Sequence, residues 1–192
     1  LTKKMQYREN EAYEAFYKAT WNAAWADAGY YNLAQIDCSR GNFLKAIELV
    51  KYSLKFNQAN HKARHLKVIL LRKLNELKEA RKFIEESLQW DRFNYGIRYE
   101  KYLIDDSNDD LQVLRKLMCS NVNNFLEYSL DYAHAGLYNE AASFLNLYIT
   151  DKKNTYPMVY YFFFFFLSHN RKEKKAQDYY NKASEMLHDY CF

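Results

Sequence analysis

Apolar residues in this chain recur at intervals of three and four, the spacing of one helix face, and short polar turns interrupt them. The pattern predicts helices over Glu11–Asn22, Ala26–Arg40, Phe43–Phe56 and a helix capped by Asn60 that runs to Leu74. Further helices are expected over Glu76–Trp90, Phe93–Ile104, Leu111–Cys119, Leu126–Ala135, Glu140–Ile149, Pro157–Ser168 and Arg171–His188. Gly41, Asn75 and Gly136 mark turns inside helical pairs, because Gly and Asn tolerate a left-handed backbone. Asp105 to Asp110 reads as an acidic turn, and Pro157 suits a first helical turn.

The pairs repeat. Ala46, Val50 and Ser53 are spaced four then three; 34 residues earlier stand Ala12, Phe16 and Ala19, and 34 later Ala80, Ile84 and Ser87. Small residues at fixed phase are what closely packed backbones require. Beyond Asp91 the motif erodes: Ala80 plus 34 is Leu114, so the phase is expected to survive without the small side chain. It returns at Ala141 and Leu145, and again at Ala176, Tyr180 and Ala183.

A 34-residue helix–turn–helix unit with Ala-x3-Phe resembles the tetratricopeptide repeat. The resemblance implies an all-α solenoid of stacked antiparallel helical hairpins, a tetratricopeptide-like superhelix, as one domain over 1–192. Phe16–Asn22, Ala28–Tyr31, Leu33–Cys38, Asn60–Arg64 and Leu70–Leu74 are further similar to the repeat region of large bacterial multidomain proteins. Those proteins also carry a sugar-mutarotase-like β-sandwich of unknown function. The late turn proline of the repeat is replaced by Gln58 and Arg92. Leu1 falls in mid-hairpin by phase, which suggests a fragment of a longer protein; the compartment stays open, with the cytoplasm favoured.

Composition narrows the function classes. With 49% apolar residues, four glycines and one proline in 192, the chain can build a continuous helical core but has little room for glycine-rich phosphate loops. The net charge of +4, from 28 basic and 24 acidic residues, is small for a nucleic-acid binder. No apolar run is long enough for a membrane span. Cys38, Cys119 and Cys191 lack the pairing of a zinc site, and His61 with His65 lacks further ligands in register. No cofactor, metal or catalytic residue is therefore expected. The acidic turn lacks the glycine and closing glutamate of a calcium loop.

Two candidate surfaces remain. Lys62, His65, Ile69 and Arg72 share one helix face, and Ala28, Tyr31, Gln35 and Cys38 share the matching face of the preceding first helix. In the resembled family these faces line a concave groove. Tyr31, Gln35, Lys62, His65 and Arg72 would make it basic and aromatic-edged, suited to an anionic or carbonyl-rich ligand; the alternative is ordinary solvated positions. The family's carboxylate clamp needs Lys and Asn where Tyr31 and Gln35 stand. The second surface is Tyr160–Leu167, apolar around the whole helix. Its favoured reading is burial between the helices on either side, with Ala176, Tyr180, Ala183 and Leu187 packing onto it. Tyr161 or Phe165 is expected to stay partly exposed and to meet a neighbouring domain or a second copy. The functional expectation is a non-enzymatic protein-protein interaction or scaffolding module, with a carbohydrate-recognition accessory role as the alternative.

Overall fold

The computed structural model describes residues 6, 8–150 and 156–186. Among them are eleven α-helices and no strand. They are α1 (Glu9–Ala19), α2 (Ala26–Ser39), α3 (Phe43–Phe56), α4 (His61–Lys73), α5 (Leu77–Trp90) and α6 (Tyr95–Asp105). Then follow α7 (Asn108–Met118), α8 (Val122–His134), α9 (Tyr138–Thr150), α10 (Pro157–His169) and α11 (Glu173–Ser184). The chain forms two compact units, Leu1–Leu117 and Met118–Phe192. In the first unit α1 to α6 each pack on the next, and in the second unit α8 to α11 do.

One backbone device closes the first helix of each of five hairpins. Gly41, Asn75, Asp106, Gly136 and Arg171 are left-handed, with φ of 78°, 60°, 49°, 77° and 56°. At four of them the next residue's N–H reaches back five residues: Asn42 to the Asp37 carbonyl, Glu76 to Leu71, Leu137 to Tyr132 and Lys172 to Leu167. These bonds satisfy carbonyls that the helix end would otherwise leave bare. Asp106 uses the shorter form, its own N–H donating to the Tyr102 carbonyl at 2.9 Å. Each partner helix starts two residues after the left-handed one.

At three of the junctions between hairpins, asparagine does the capping. Asn60 and Asn94, 34 residues apart, accept from the N–H of Ala63 and Ile97 at 3.0 and 3.1 Å. Asn121 caps α8 in the same way through Asn123, which is why α8 starts at Val122, before the expected Leu126. The acidic stretch is likewise shorter than its composition suggests. Asp105 ends α6, and Asn108, Asp109 and Asp110 lie in the first turn of α7, where carboxylates favour the helix dipole.

The small-residue phase counts from these turns. Ala46, Ala80, Ala141 and Ala176 each stand five residues past a left-handed residue and are fully or almost fully buried. Ser53 and Ser87, seven residues further on, are buried too. The turn at Asp106 comes only 31 residues after Asn75, so Leu114 lies eight past its turn. Leu114 is buried, but the phase expected there does not survive: it is reset by the shorter third hairpin. Tyr180 also departs from expectation. It is 42% exposed, whereas its neighbours Ala176 and Ala183 pack inward. Leu187, the end of the last helix at His188 and Cys191 lie outside the described residues.

Candidate functional site

The first helices of successive hairpins in the first unit, α2, α4 and α6, carry the face that the spacing assigns to a groove. Tyr31 is half-buried, and its hydroxyl accepts a hydrogen bond from the Gln35 amide at 2.9 Å. Lys62 is half-buried on α4. His65 is buried at 2% exposure, because Gly96 of α6 has no side chain and lets the imidazole lie against its Cα. Arg72 reaches from α4 to α6 and grips the fully buried Glu100, with Nε donating to Oε2 at 2.6 Å and Nη2 to Oε1 at 3.1 Å.

These placements correct the expected row of solvated groove residues. Gln35 and His65 lie beneath the surface, and Arg72 is engaged by a buried carboxylate. Close approach of α4 and α6 at Gly96 brings the two helices into direct contact and draws their polar side chains onto each other. Tyr31, Lys62 and the outer edge of Arg72 form the accessible part. His61 is exposed while His65 is buried, so the two do not present their rings to solvent together.

The neighbouring cations are also spent within the fold. The Arg64 guanidinium lies over the rings of Phe83 (4.7 Å) and Trp90 (5.1 Å) and donates to Ser87 Oγ, Glu86 and the Gln58 carbonyl. One repeat earlier the same place is taken by Tyr30, stacked on Tyr52 and Phe56 at 5.2 and 5.9 Å. The substitution was readable from the 34-residue offset, which aligns Tyr30 with Arg64, Tyr52 with Glu86 and Phe56 with Trp90. Lys67 sits 3.9 Å over the Phe83 ring, and burial pushes its ammonium below the usual lysine range. Burial likewise raises the Tyr13 phenol, whose hydroxyl donates to the buried Asp37 at 2.8 Å.

In the second unit, Val159, Tyr160, Phe163, Phe166 and Leu167 of α10 are buried. Phe163 stacks on Tyr179 of α11 at 4.9 Å. Tyr161 is half-buried, with its ring edge-on to Tyr180, and Phe165 is 38% exposed beside His169 and Tyr138. Among the described residues no group of three or more His, Cys, Asp or Glu side chains could hold a metal ion. The acidic stretch is engaged by cations: Asp105 pairs with Arg81, and Lys101 bridges Asp105 and Asp110. No helix among the described residues is long and apolar enough to cross a membrane.

No family model and no curated protein matches the chain. Solved structures do. A tetratricopeptide repeat protein from Parabacteroides merdae superposes with a TM-score of 0.57 at 16% identity, over 98% of this chain and 76% of that one. A repeat protein of Thermus thermophilus gives 0.47 at 16% identity, over 83% of this chain and 91% of its own. YrrB, described as a repeat protein with an unusual peptide-binding site, gives 0.46 at 19%, over 93% and 95%. The first likeness establishes the fold: an all-α tetratricopeptide-type solenoid.

Proposed function

We propose that this tetratricopeptide-type solenoid is a non-enzymatic interaction module that binds a peptide segment or a neighbouring domain through the first-helix face of its first unit. The observation that carries the reading is a cationic and phenolic surface, Tyr31, Lys62 and Arg72, in which Tyr31 is bonded to the buried Gln35 and Arg72 to the buried Glu100. Anchored this way, Tyr31 and Arg72 lose little conformational entropy on binding. Lys62 offers a mobile charge suited to carboxylates and carbonyls, and Arg72, whose fork is taken by Glu100, adds only its outer edge. The polar groups of this face are engaged with one another rather than converging on a reacting atom, which favours binding over catalysis.

The test is a peptide-library selection on the full chain, followed by affinity measurements with Lys62→Ala and Tyr31→Ala. Weaker binding with a flatter salt dependence is the expected result; unchanged affinity in both variants refutes this face. Tyr161 and Phe165 are proposed as a second contact surface, for a neighbouring domain or another copy of the chain. Phe165→Glu should abolish any self-association seen by sedimentation without loss of helicity. A carbohydrate-recognition role is the second reading, favoured by the exposed rings of Tyr17, Trp21 and Trp25. A glycan array beside the peptide library separates the two.

A further inference from the structure

One half-buried guanidinium of the first unit holds no carboxylate, and its repeat equivalent shows what completes such a group. Tyr30, Arg64 and Arg98 follow one another at 34-residue steps, on α2, α4 and α6. Tyr30 is stacked on Tyr52 and Phe56. The two arginines are tethered alike. Arg64 Nη1 donates to the Gln58 carbonyl at 3.2 Å and Arg98 Nε to the Arg92 carbonyl at 2.6 Å, each |i−j|=6 along the chain.

The partner helix separates the two. Beside Arg64, α5 supplies the Glu86 carboxylate, which accepts from Nη2 at 2.8 Å, and the ring of Phe83. Glu86 and Phe83 stand 11 and 8 residues past the left-handed Asn75. The same places past Asp106, on α7, hold Leu117 and Leu114. The Tyr95 hydroxyl, one turn before Arg98, donates to the Leu117 carbonyl at 3.2 Å, so this part of α7 does lie against the start of α6. Among the described residues Arg98 forms no ion pair, and its one hydrogen bond is to the Arg92 carbonyl.

Charges nearby do not compensate. Asp91 and Asp110 act on Arg98 from beyond ion-pair distance, and Asp110 is paired with Lys101. Burial outweighs both and keeps the Arg98 guanidinium below the usual arginine range. The exposed Arg92 guanidinium, over the Phe93 ring at 4.7 Å, adds a second positive charge beside it. A cation partly withdrawn from water without a carboxylate costs stability, and such groups gather at functional sites.

Resting on the reading of the chain as a peptide-binding module, we propose that Arg98 is a docking site for a side-chain carboxylate of an acidic peptide, which takes the place that Glu86 fills beside Arg64. With Nε bonded to the Arg92 carbonyl, the two Nη nitrogens donate to the carboxylate oxygens end-on, the bidentate pairing to which a planar guanidinium is suited. Arg92 lies close enough to attract the same acidic segment. The fold itself sets carboxylate over phosphate as the ligand: Arg40, Arg64, Arg72 and Arg81 each hold an Asp or Glu side chain. A neutral ligand would leave the desolvated charge of Arg98 uncompensated.

The experiment is fluorescence anisotropy on the full chain with hexaglutamate, labelled at its N-terminus and amidated at its C-terminus. Amidated hexaglutamine, hexaglutamine with a free terminal carboxylate and an oligothymidylate serve as competitors. Hexaglutamate should bind, and none of the three should displace it. Arg98→Gln and Arg98→Lys should each weaken it about tenfold, because lysine keeps the charge but loses the fork. Leu117→Glu, which puts a carboxylate of the chain itself where Glu86 stands in the preceding hairpin, should abolish binding, whereas Leu117→Gln should retain it. Far-UV circular dichroism of every variant guards against loss through misfolding. Absence of hexaglutamate binding, full affinity in Arg98→Lys, equal behaviour of the two Leu117 variants, or displacement by the terminal carboxylate or the nucleic acid overturns the proposal. If the Arg98 variants bind normally while Tyr31→Ala and Lys62→Ala do not, the docking site is wrong and the interaction module stands.

Discussion

Substituting Gly96 by Ala tests the contact that closes α4 onto α6. A Cβ there would lie 2.5 Å from Cε1 and Nδ1 of His65 and 2.7 Å from Cγ. Comfortable contact is about 3.5–4.0 Å, so the ring would have to withdraw by roughly 1 Å. The ring is 2% exposed and has little room to do so. Overpacking of a filled core costs about 1–3 kcal/mol. Alanine in place of glycine in a helix returns about 0.8–1 kcal/mol. Three ring atoms in conflict at once place the overpacking near its upper end, so the net loss should be about 1–2 kcal/mol. Urea unfolding followed by circular dichroism at constant slope measures it. The decisive comparison is the same substitution in a His65→Ala background, where the obstacle is gone. There Gly96→Ala should stabilise, by about 1 kcal/mol. A variant as stable as the parent in the His65 background, or no change of sign between backgrounds, would refute the packing of His65 on Gly96.

Other perturbations probe separate parts of the argument. Ala46→Leu should overpack a fully buried helix crossing and cost about 1–3 kcal/mol; a melting curve like the parent's would remove Ala46 from the core. Arg72→Ala takes the guanidinium from a carboxylate with no exposure and should cost about 3 kcal/mol, whereas Lys62→Ala should stay within about 0.5 kcal/mol. Gly41→Ala forces a side chain into a φ of +78° and should cost about 1–2 kcal/mol, while Arg171→Gly at +56° should stabilise by about 1 kcal/mol. The Arg81 guanidinium, and then Lys101, hold the Asp105 carboxyl below its usual range. Its folded value is below its unfolded one, so its contribution is complete above the ordinary carboxylate range and fades as pH falls through the folded value. Acid titration of stability should therefore flatten in Asp105→Asn.

Much of the fold was legible because periodicity is a local property. Apolar spacing located the eleven helices of the described residues, and the 34-residue recurrence of Ala46 with Ala80 identified the stacking units before any contact was known. Gly41, Asn75 and Gly136 announced their turns because those residue types tolerate the left-handed backbone. Asp106 and Arg171 adopt the same conformation without announcing it. There the hairpin imposes the backbone and the side chain accepts it, and in the third hairpin the register at Leu114 was misread by three residues.

The candidate surface was less legible, because exposure depends on what lies opposite. Helical spacing put Gln35, His65 and Arg72 on one face, and that much needs only the chain's own geometry. Whether water or another helix meets that face depends on Gly96 and Glu100, about 30 residues further on. The lack of a single Cβ on α6 turns His65 from a surface residue into core. One buried carboxylate turns Arg72 from a solvated cation into a strut. The sequence by itself determined the repeat and the residue types along each face. Only the tertiary structure decided which of them remain in water, since burial is set by the summed approach of segments distant in the chain.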